Sequence, residues 1–373
     1  MALPLSSPIE PMLASPASEL PVGDYLFEPK WDGFRCLVFR AGEEILLQSR
    51  TGRSLNRYFP EVLDRLAEAL PEDVVLDGEL VVARAGRLDF DALGERIHPA
   101  QSRVRMLAEA TPAEFIAFDI LALGSRDLRG EPLSLRRDLL VDFDARVGGS
   151  ALRLTPATTD PDTALVWFDL FEGAGLDGVV CKLLDGGYTP GRRSMIKIKH
   201  ERTADCVVAG LRWHAKTPPG TAVGSLLLGL YDDHRVLHHV GVVGAFTAAR
   251  RRALAEEFDG LRIDRDSDGG VEATEEHPWL GEHASDGRRV PGGESRWRKG
   301  SAQWVPLRPE RVVEVAYDHT EGAEPARFRH TTRFRRWRPD REPATCRYDQ
   351  LDEPVRYDVN AVLAGEVRQQ PGS

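Results

Sequence analysis

Lysine is scarce in this chain. The first 202 residues hold four lysines against 20 arginines. A sequence that meets its ordinary need for positive charge with arginine keeps lysine where a guanidinium cannot serve. An amine can lose its proton and attack an electrophile, whereas arginine stays protonated and is a poor nucleophile. Cysteine is sparse as well. Cys36, Cys181, Cys206 and Cys346 lie far apart with no Cys-x-x-Cys pair, which argues against a zinc site. They read as reduced, mostly buried thiols of an intracellular protein. No apolar run approaches the roughly 18 residues of a membrane helix. The N-terminal Met-Ala-Leu-Pro-Leu-Ser-Ser-Pro lacks the basic region and apolar core of a signal peptide.

What is present fits two domains, since 373 residues leave room for two sizeable cores. The net charge of −10 argues against a protein that coats nucleic acid indiscriminately, although a local basic surface remains open. Up to Arg202 there are 24 basic and 32 acidic residues (net −8), and beyond it 25 and 27 (net −2). Arg327 to Arg341 holds seven arginines and one acid, Asp340, interleaved with Phe328, Phe334 and Trp337. That mixture suits phosphate contacts.

Up to residue 202, strand-like runs alternate with helical ones. Tyr25–Glu28, Phe34–Arg40, Ile45–Ser49, Val74–Val82, Phe115–Leu121, Gly178–Lys182 and Met195–Lys199 read as strands. Pro60 to Leu70 reads as a helix with Val62, Leu63, Leu66 and Leu70 on one face. Asp160-Pro161 opens another, with Leu165, Trp167, Phe168 and Phe171 as its expected apolar face. Beyond 202, Cys206–Trp213, Ser225–Tyr231, Val236–Val243, Val312–Tyr317 and Arg327–Arg333 look like strands, with a helix over Thr247–Phe258. Five strands with a helix between the third and fourth outline an OB-fold. The stretch 264–301, rich in Gly, Asp, Glu and Arg, reads as a long mobile insertion, and the last residues as frayed. The expected architecture is an α+β domain with antiparallel sheets over 1–202, an all-β OB-fold over 203–356 and a tail over 357–373.

The four early lysines all fall in patterned segments. Lys30 opens Lys30-Trp-Asp-Gly33, Lys182 closes Leu176-Asp-Gly-Val-Val-Cys-Lys182, and Lys197 and Lys199 alternate in Met195-Ile-Lys-Ile-Lys199. Alternation along a strand puts Lys197 and Lys199 on one face. Between them lie Ser49-Arg-Thr-Gly52, Leu76-Asp-Gly-Glu-Leu80 and Phe115-Ile-Ala-Phe-Asp119, and near the end Arg338-Pro-Asp-Arg341. In content and order the series resembles the motifs of the covalent nucleotidyltransferase superfamily, which includes DNA ligases, RNA ligases and mRNA capping enzymes. Within it the chain looks like the C-type bacterial ATP-dependent DNA ligases, compact enzymes of a nucleotidyltransferase domain and an OB domain. No separate N-terminal DNA-binding domain is expected ahead of a nucleophile at residue 30.

The resemblance implies roles. Lys30 is the nucleophile that attacks the α-phosphate of ATP. Glu28 meets the adenine amino edge, Phe118 stacks on the base, and Lys182 lies near base or phosphate. Arg35 and Arg50 bind the sugar and the phosphate region, while Lys197 and Lys199 hold phosphate oxygens. Glu79 contacts ribose or metal, and Asp177, where the family usually has Glu, helps hold Mg²⁺ or Mn²⁺. Met195 stands where an aromatic is common. Arg338 and Arg341 reach the β- and γ-phosphates when the OB domain closes. To attack, Lys30 must be a neutral amine, a form that costs roughly 4 kcal/mol at neutral pH from a reference pKa near 10.4. Cations around it are expected to lower that cost.

The implied reaction forms a lysyl-AMP, passes AMP to the 5′-phosphate at a nick, and seals the strand as the 3′-hydroxyl displaces AMP. The expected partner is nicked double-stranded DNA, with repair proteins alongside, in DNA repair or recombination. The protein is expected to be a monomer in the cytoplasm, associated with the nucleoid. An RNA ligase or capping-type enzyme shares these motifs and remains the alternative, with a non-catalytic nick-binding protein a further one.

Overall fold

The computed structural model describes residues 3–71, 73–147, 152–263, 277–280, 288–292, 303–322, 325–351 and 357–364. They divide into two compact units, one within Met1–His200 that also takes in residues near the C-terminus, the other within Glu201–Glu353.

The first unit is built on two sheets. Its strands are β1 (Leu13–Ala17), β2 (Tyr25–Pro29), β3 (Phe34–Ala41), β4 (Glu44–Ser49), β5 (Val74–Arg84), β6 (Ala113–Leu123), β7 (Val179–Leu183) and β8 (Arg193–Ile198). One sheet runs β1-β8-β7-β2 and is parallel only where β1 meets β8. The other runs β4-β3-β5-β6, antiparallel throughout, with two-residue strands added at its margins. Alternation divides the second sheet into two faces. Cys36, Val38, Leu76 and Ala117 pack with Val62, Leu66, Leu140 and Phe143 from the helices. Leu37, Phe39, Val75 and Leu121 turn the other way and meet Met195 of the first sheet together with Met12 and Tyr188 from the segments that flank its strands. Burial on both faces explains why β5 reads as an unbroken apolar run apart from its Asp-Gly-Glu.

Helices α1 (Pro60–Ala69), α2 (Phe90–Glu95), α3 (Gln101–Ala110), α4 (Leu133–Val147) and α5 (Pro161–Phe171) cover this unit. In α1, Pro sits in the first turn, where its missing N–H costs nothing, and Val62 and Leu66 are buried. Asp160 caps α5 by accepting from the backbone N–H groups of Asp162 and Thr163. The buried face of α5 is Ala164, Trp167 and Phe171; the expected Leu165 is 49% exposed. Positions 164, 167, 168 and 171 follow the helical period, and 165 lies about 100° away from it. Strand β1, Leu-Ala-Ser-Pro-Ala, carries little strand propensity and was not expected; at a sheet edge its proline is tolerated.

The second unit contains β9 (Arg202–Trp213), β10 (Val223–Tyr231), β11 (Leu237–Val243), β12 (Val305–Tyr317) and β13 (Arg333–Trp337), in the antiparallel order β11-β10-β9-β12-β13. Helix α6 (Ala248–Glu257), capped by Thr247, follows β11 and packs Leu254 and the adjoining Phe258 against Val207, Leu226, Leu228 and Val313. This is an OB-fold. Its last strand corrects the expectation: Arg327–Phe328 pairs with Thr320–Glu321 in a short hairpin, and the sheet is completed by β13. The change of partner occurs at Thr332, whose N–H is bonded to the Val242 carbonyl.

Most of 264–301, expected as a mobile insertion, lies outside the described residues. Its described pieces are anchored instead. Trp279 is 2% exposed and donates from Nε1 to the Leu237 carbonyl at 2.9 Å, while His277 Nε2 meets the Ala209 carbonyl at 2.8 Å. Residues 365–373, expected to fray, lie outside the described residues. The stretch 357–364 is no loose tail, since Val359–Leu363 is helical and Val359 and Val362 pack with Trp31, Trp167 and Phe171 of the first unit.

Candidate active site

The two sheets of the first unit enclose a cavity of about 250 Å³. It is lined by Glu28, Lys30, Arg35, Arg50, Glu79, Phe118, Lys182, Lys197 and Lys199, so nine of the residues singled out in the sequence meet there. Strand pairing brings them in. Arg35 and Glu79 are register partners on β3 and β5, and Val180 of β7 lies between Glu28 of β2 and Lys197 of β8.

Lys30 follows β2 and is tied by its backbone to the Asp177–Gly178 turn, with Lys30 N–H donating to Gly178 and Asp177 N–H to Lys30. Two glycines make this approach possible. A Cβ at Gly178, which has φ +111°, would sit 2.0 Å from the Ile198 carbonyl oxygen; one at Gly33 would sit 2.1 Å from that of Leu80. Asp177 Oδ2 is 2.6 Å from Lys30 Nζ and 2.5 Å from Lys199 Nζ, so one carboxylate holds two ammonium groups.

The electrostatics of Lys30 differ from expectation. Burial pushes its pKa down, but Asp177, by charge and hydrogen bond, then Asp32 and Glu79, together hold it above the ordinary lysine value. The lowered amine is Lys197, through burial first and then Lys199 and Lys30. Acidic neighbours therefore favour the ammonium form of Lys30. Glu79 is its counterpart: burial raises its carboxyl to about 7, against the lowering effect of Arg35 and Lys30. Among the described residues no three carboxylate, histidine or cysteine side chains form a ready-made metal cage. A half-buried carboxylate that is costly to ionise, facing a phosphate-sized cavity, fits a hard divalent cation that draws its remaining oxygens from phosphates and water.

At the other end of the cavity, Lys182 Nζ bonds Glu28 Oε2 at 2.7 Å and the Phe118 carbonyl at 3.0 Å. Lys182 Nζ and the Arg35 guanidinium lie 4.6 and 4.4 Å from the Phe118 ring centre. Arg35 is held by a bidentate pair to the buried Asp77, both bonds 2.6 Å, and Tyr188 donates to the same carboxylate. Neither Asp77 nor Tyr188 was singled out in the sequence. Asp77 could have been, because an acid inside an apolar strand needs a partner; Tyr188 carries no such signal. Arg193 also lines the cavity, and its signal was the period of two that runs through Arg193, Met195 and Lys197.

Arg338 and Arg341 belong to the second unit. Arg338 makes a bidentate pair with Asp205 at 2.8 and 3.0 Å and also bonds Asp340, while Arg341 Nε is 3.5 Å from Asp205. The basic stretch expected to face phosphate is largely ion-paired: Arg333 and Arg335 with Glu201, Arg336 with Glu314 and Arg327 with Glu321. The charge counts of the sequence conceal these pairings, because a count does not say which acid meets which arginine.

The family model of the ATP-dependent DNA ligase domain matches residues 11–199, and that of the ATP-dependent DNA ligase C-terminal region matches residues 219–341. The chain belongs to the ATP-dependent DNA ligases. It is similar to DNA ligase C of Mycobacterium tuberculosis, with 50% identity over 371 residues that cover 98% of this chain and 99% of that protein. It is also similar to the multifunctional non-homologous end joining DNA repair protein LigD of the same species, at 35% identity over 67% of this chain and 31% of that protein. A solved Lig E DNA ligase shares its fold at 17% identity and TM-score 0.52, covering 88% of this chain and 99% of that one. Family membership sets aside the RNA-ligating, capping and non-catalytic alternatives. The ligase is an enzyme that uses ATP, and no described helix is long and apolar enough to cross a membrane.

Proposed function

We propose that the cavity of the first unit is the adenylation site, with Lys30 as the nucleophile that carries AMP. The observation that carries this reading is the convergence of Lys30, Lys197, Lys199, Arg50 and Glu79 on one cavity that also presents Phe118 and Glu28. On this reading residues 1–202 form the adenylation domain and 203–356 the OB domain.

Lys30 Nζ attacks the α-phosphate of ATP, a P–N bond forms, and the bond to pyrophosphate breaks. The amine must first lose its proton, and Asp177 Oδ2 is an acceptor within hydrogen-bond distance. Phosphates bound by Lys197, Lys199 and Arg50 draw Lys199 from Asp177 and add the order that an in-line displacement requires. When bound, Mg²⁺ or Mn²⁺ neutralises charge on the phosphate oxygens. Glu79 would hold it. Asp177, already shared by two ammonium groups, would do so through water. Glu28 accepts from the adenine amino group and Phe118 stacks on the ring. Arg338 and Arg341 orient pyrophosphate, which requires them to leave Asp205.

The enzyme then transfers AMP to the 5′-phosphate of nicked duplex DNA and seals the nick. We place it in DNA repair, working as a monomer in the cytoplasm at the nucleoid. The deciding experiment is incubation with labelled ATP and a divalent cation. Wild type should acquire a covalent label that maps to Lys30, and Lys30→Ala should acquire none while still sealing a pre-adenylated nick. A label on Lys30→Ala equal to that of wild type would refute the nucleophile.

A further inference from the structure

Glu28 is 2% exposed and lines the nucleotide cavity, yet only one of its carboxylate oxygens is used. Oε2 accepts from Lys182 at 2.7 Å. Oε1 is buried with no hydrogen-bond partner, and the group it faces is Arg137 Nη1 at 3.9 Å. Arg137 Nη1 is itself buried and without a hydrogen-bond partner. The rest of that guanidinium is committed, because Nη2 donates to the Thr155 carbonyl at 2.7 Å. Arg137 comes from α4 and does not line the cavity. It stands behind Glu28, and no motif of the sequence pointed to it.

A glutamate's last torsion is broad and soft, so a carboxylate held at one oxygen can still turn. Here a cation stands at each oxygen. Lys182 takes Oε2 by hydrogen bond, and Arg137 attracts Oε1 from beyond hydrogen-bond reach, so the two cations together fix the plane of the group. A carboxylate kept between two cations is an acceptor only. Such a group favours a purine with a 6-amino donor and opposes one with a 6-oxo acceptor.

We propose that Arg137 is a positioning residue for base selection, fixing the Glu28 carboxylate from behind so that the group reads the 6-amino group of the nucleotide. The inference rests on the reading of the cavity as the adenylation site. Without Arg137, Glu28 is free to turn and to pair with other bases, and the enzyme loses its preference for ATP over ITP.

The test compares self-adenylation-type labelling with ATP and with ITP, as a ratio of kcat/KM, in wild type, Arg137→Met, Arg137→Gln, Arg137→Lys and Glu28→Gln. Wild type should prefer ATP by roughly tenfold or more, as expected where a buried polar group would be left unpaired. Arg137→Met and Arg137→Gln should bring the ratio close to one, mainly through a higher KM for ATP, and Arg137→Lys should restore most of it. Thermal melts select whichever of the Met and Gln variants is folded. A folded variant that loses activity on both nucleotides equally, with the ratio unchanged, would make Arg137 purely structural and overturn the proposal. So would an Arg137→Lys ratio as low as that of Arg137→Gln. If Glu28→Gln keeps the wild-type ratio, Glu28 does not read the base, and the adenine end of the site is wrong whatever Arg137 does.

Discussion

At the scale of single residues, the site shows acid groups setting the state of the amine. Lys30, the nucleophile of the proposed reaction, is bonded to Asp177 and held above its ordinary pKa, so it must give up a proton before it can attack. Glu79 bears the complementary cost. Its carboxyl titrates at about 7 in the folded cavity against 4.5 in the unfolded chain, so between those values the folded protein binds more protons. Stability contributed at this site is therefore present below about pH 4.5 and is lost as pH rises through about 7. Replacing the carboxylate with an amide should remove that loss. We expect Glu79→Gln to exceed wild type by about 1–3 kcal/mol near pH 8 and to match it near pH 4. Denaturant titrations at both pH values measure this, and an equal offset at both would remove the desolvation account. The same variant should fail to self-adenylate.

At the scale of elements, most strands were legible because their residues are β-branched or aromatic and bounded by turn residues. The elements missed had another source of stability. Strand β1 is specified by its partner β8, not by its own Leu-Ala-Ser-Pro-Ala. The 277–280 stretch looked like part of a polar insertion, yet Trp279 packs over Gly229, where a Cβ would lie 3.0 Å from the indole. A tryptophan in a Gly- and Asp-rich run without a hydrophobic period gives no sign of its burial in advance. Trp279→Ala should destabilise the second unit by about 3–5 kcal/mol. Calorimetry should find the melting of that unit lowered while labelling of Lys30 at low temperature persists; an unchanged melting profile would mean the anchor contributes nothing.

At the scale of the whole molecule, the residues singled out in the sequence are divided between the two units. Nine singled-out residues share the cavity of the first unit, while Arg338 and Arg341 lie in the second, both committed to Asp205. If those arginines serve only the step that releases pyrophosphate, losing one should affect the steps unequally. Arg338→Ala should slow self-adenylation by about 100-fold, in line with removal of a donor to a developing charge. Sealing of a pre-adenylated nick should fall far less. Equal losses in single-turnover assays of the two steps would place Arg338 elsewhere in the cycle.

The order of the motifs and the rarity of lysine were enough to identify the family and to single out nine residues that the fold brings to one cavity. Covalent chemistry demands particular residue types at particular spacings, and such constraints survive in a linear string. Distance does not. That Asp177 bridges Lys30 and Lys199, that Asp77 holds Arg35, and that Arg137 stands behind Glu28 depends on which segments the fold brings together. Charge obeys the same limit, since a pKa follows from the neighbours in space and the depth of burial. For that reason the sequence singled out Lys30 by its motif, and only the folded chain decided that acidic neighbours favour its charged form.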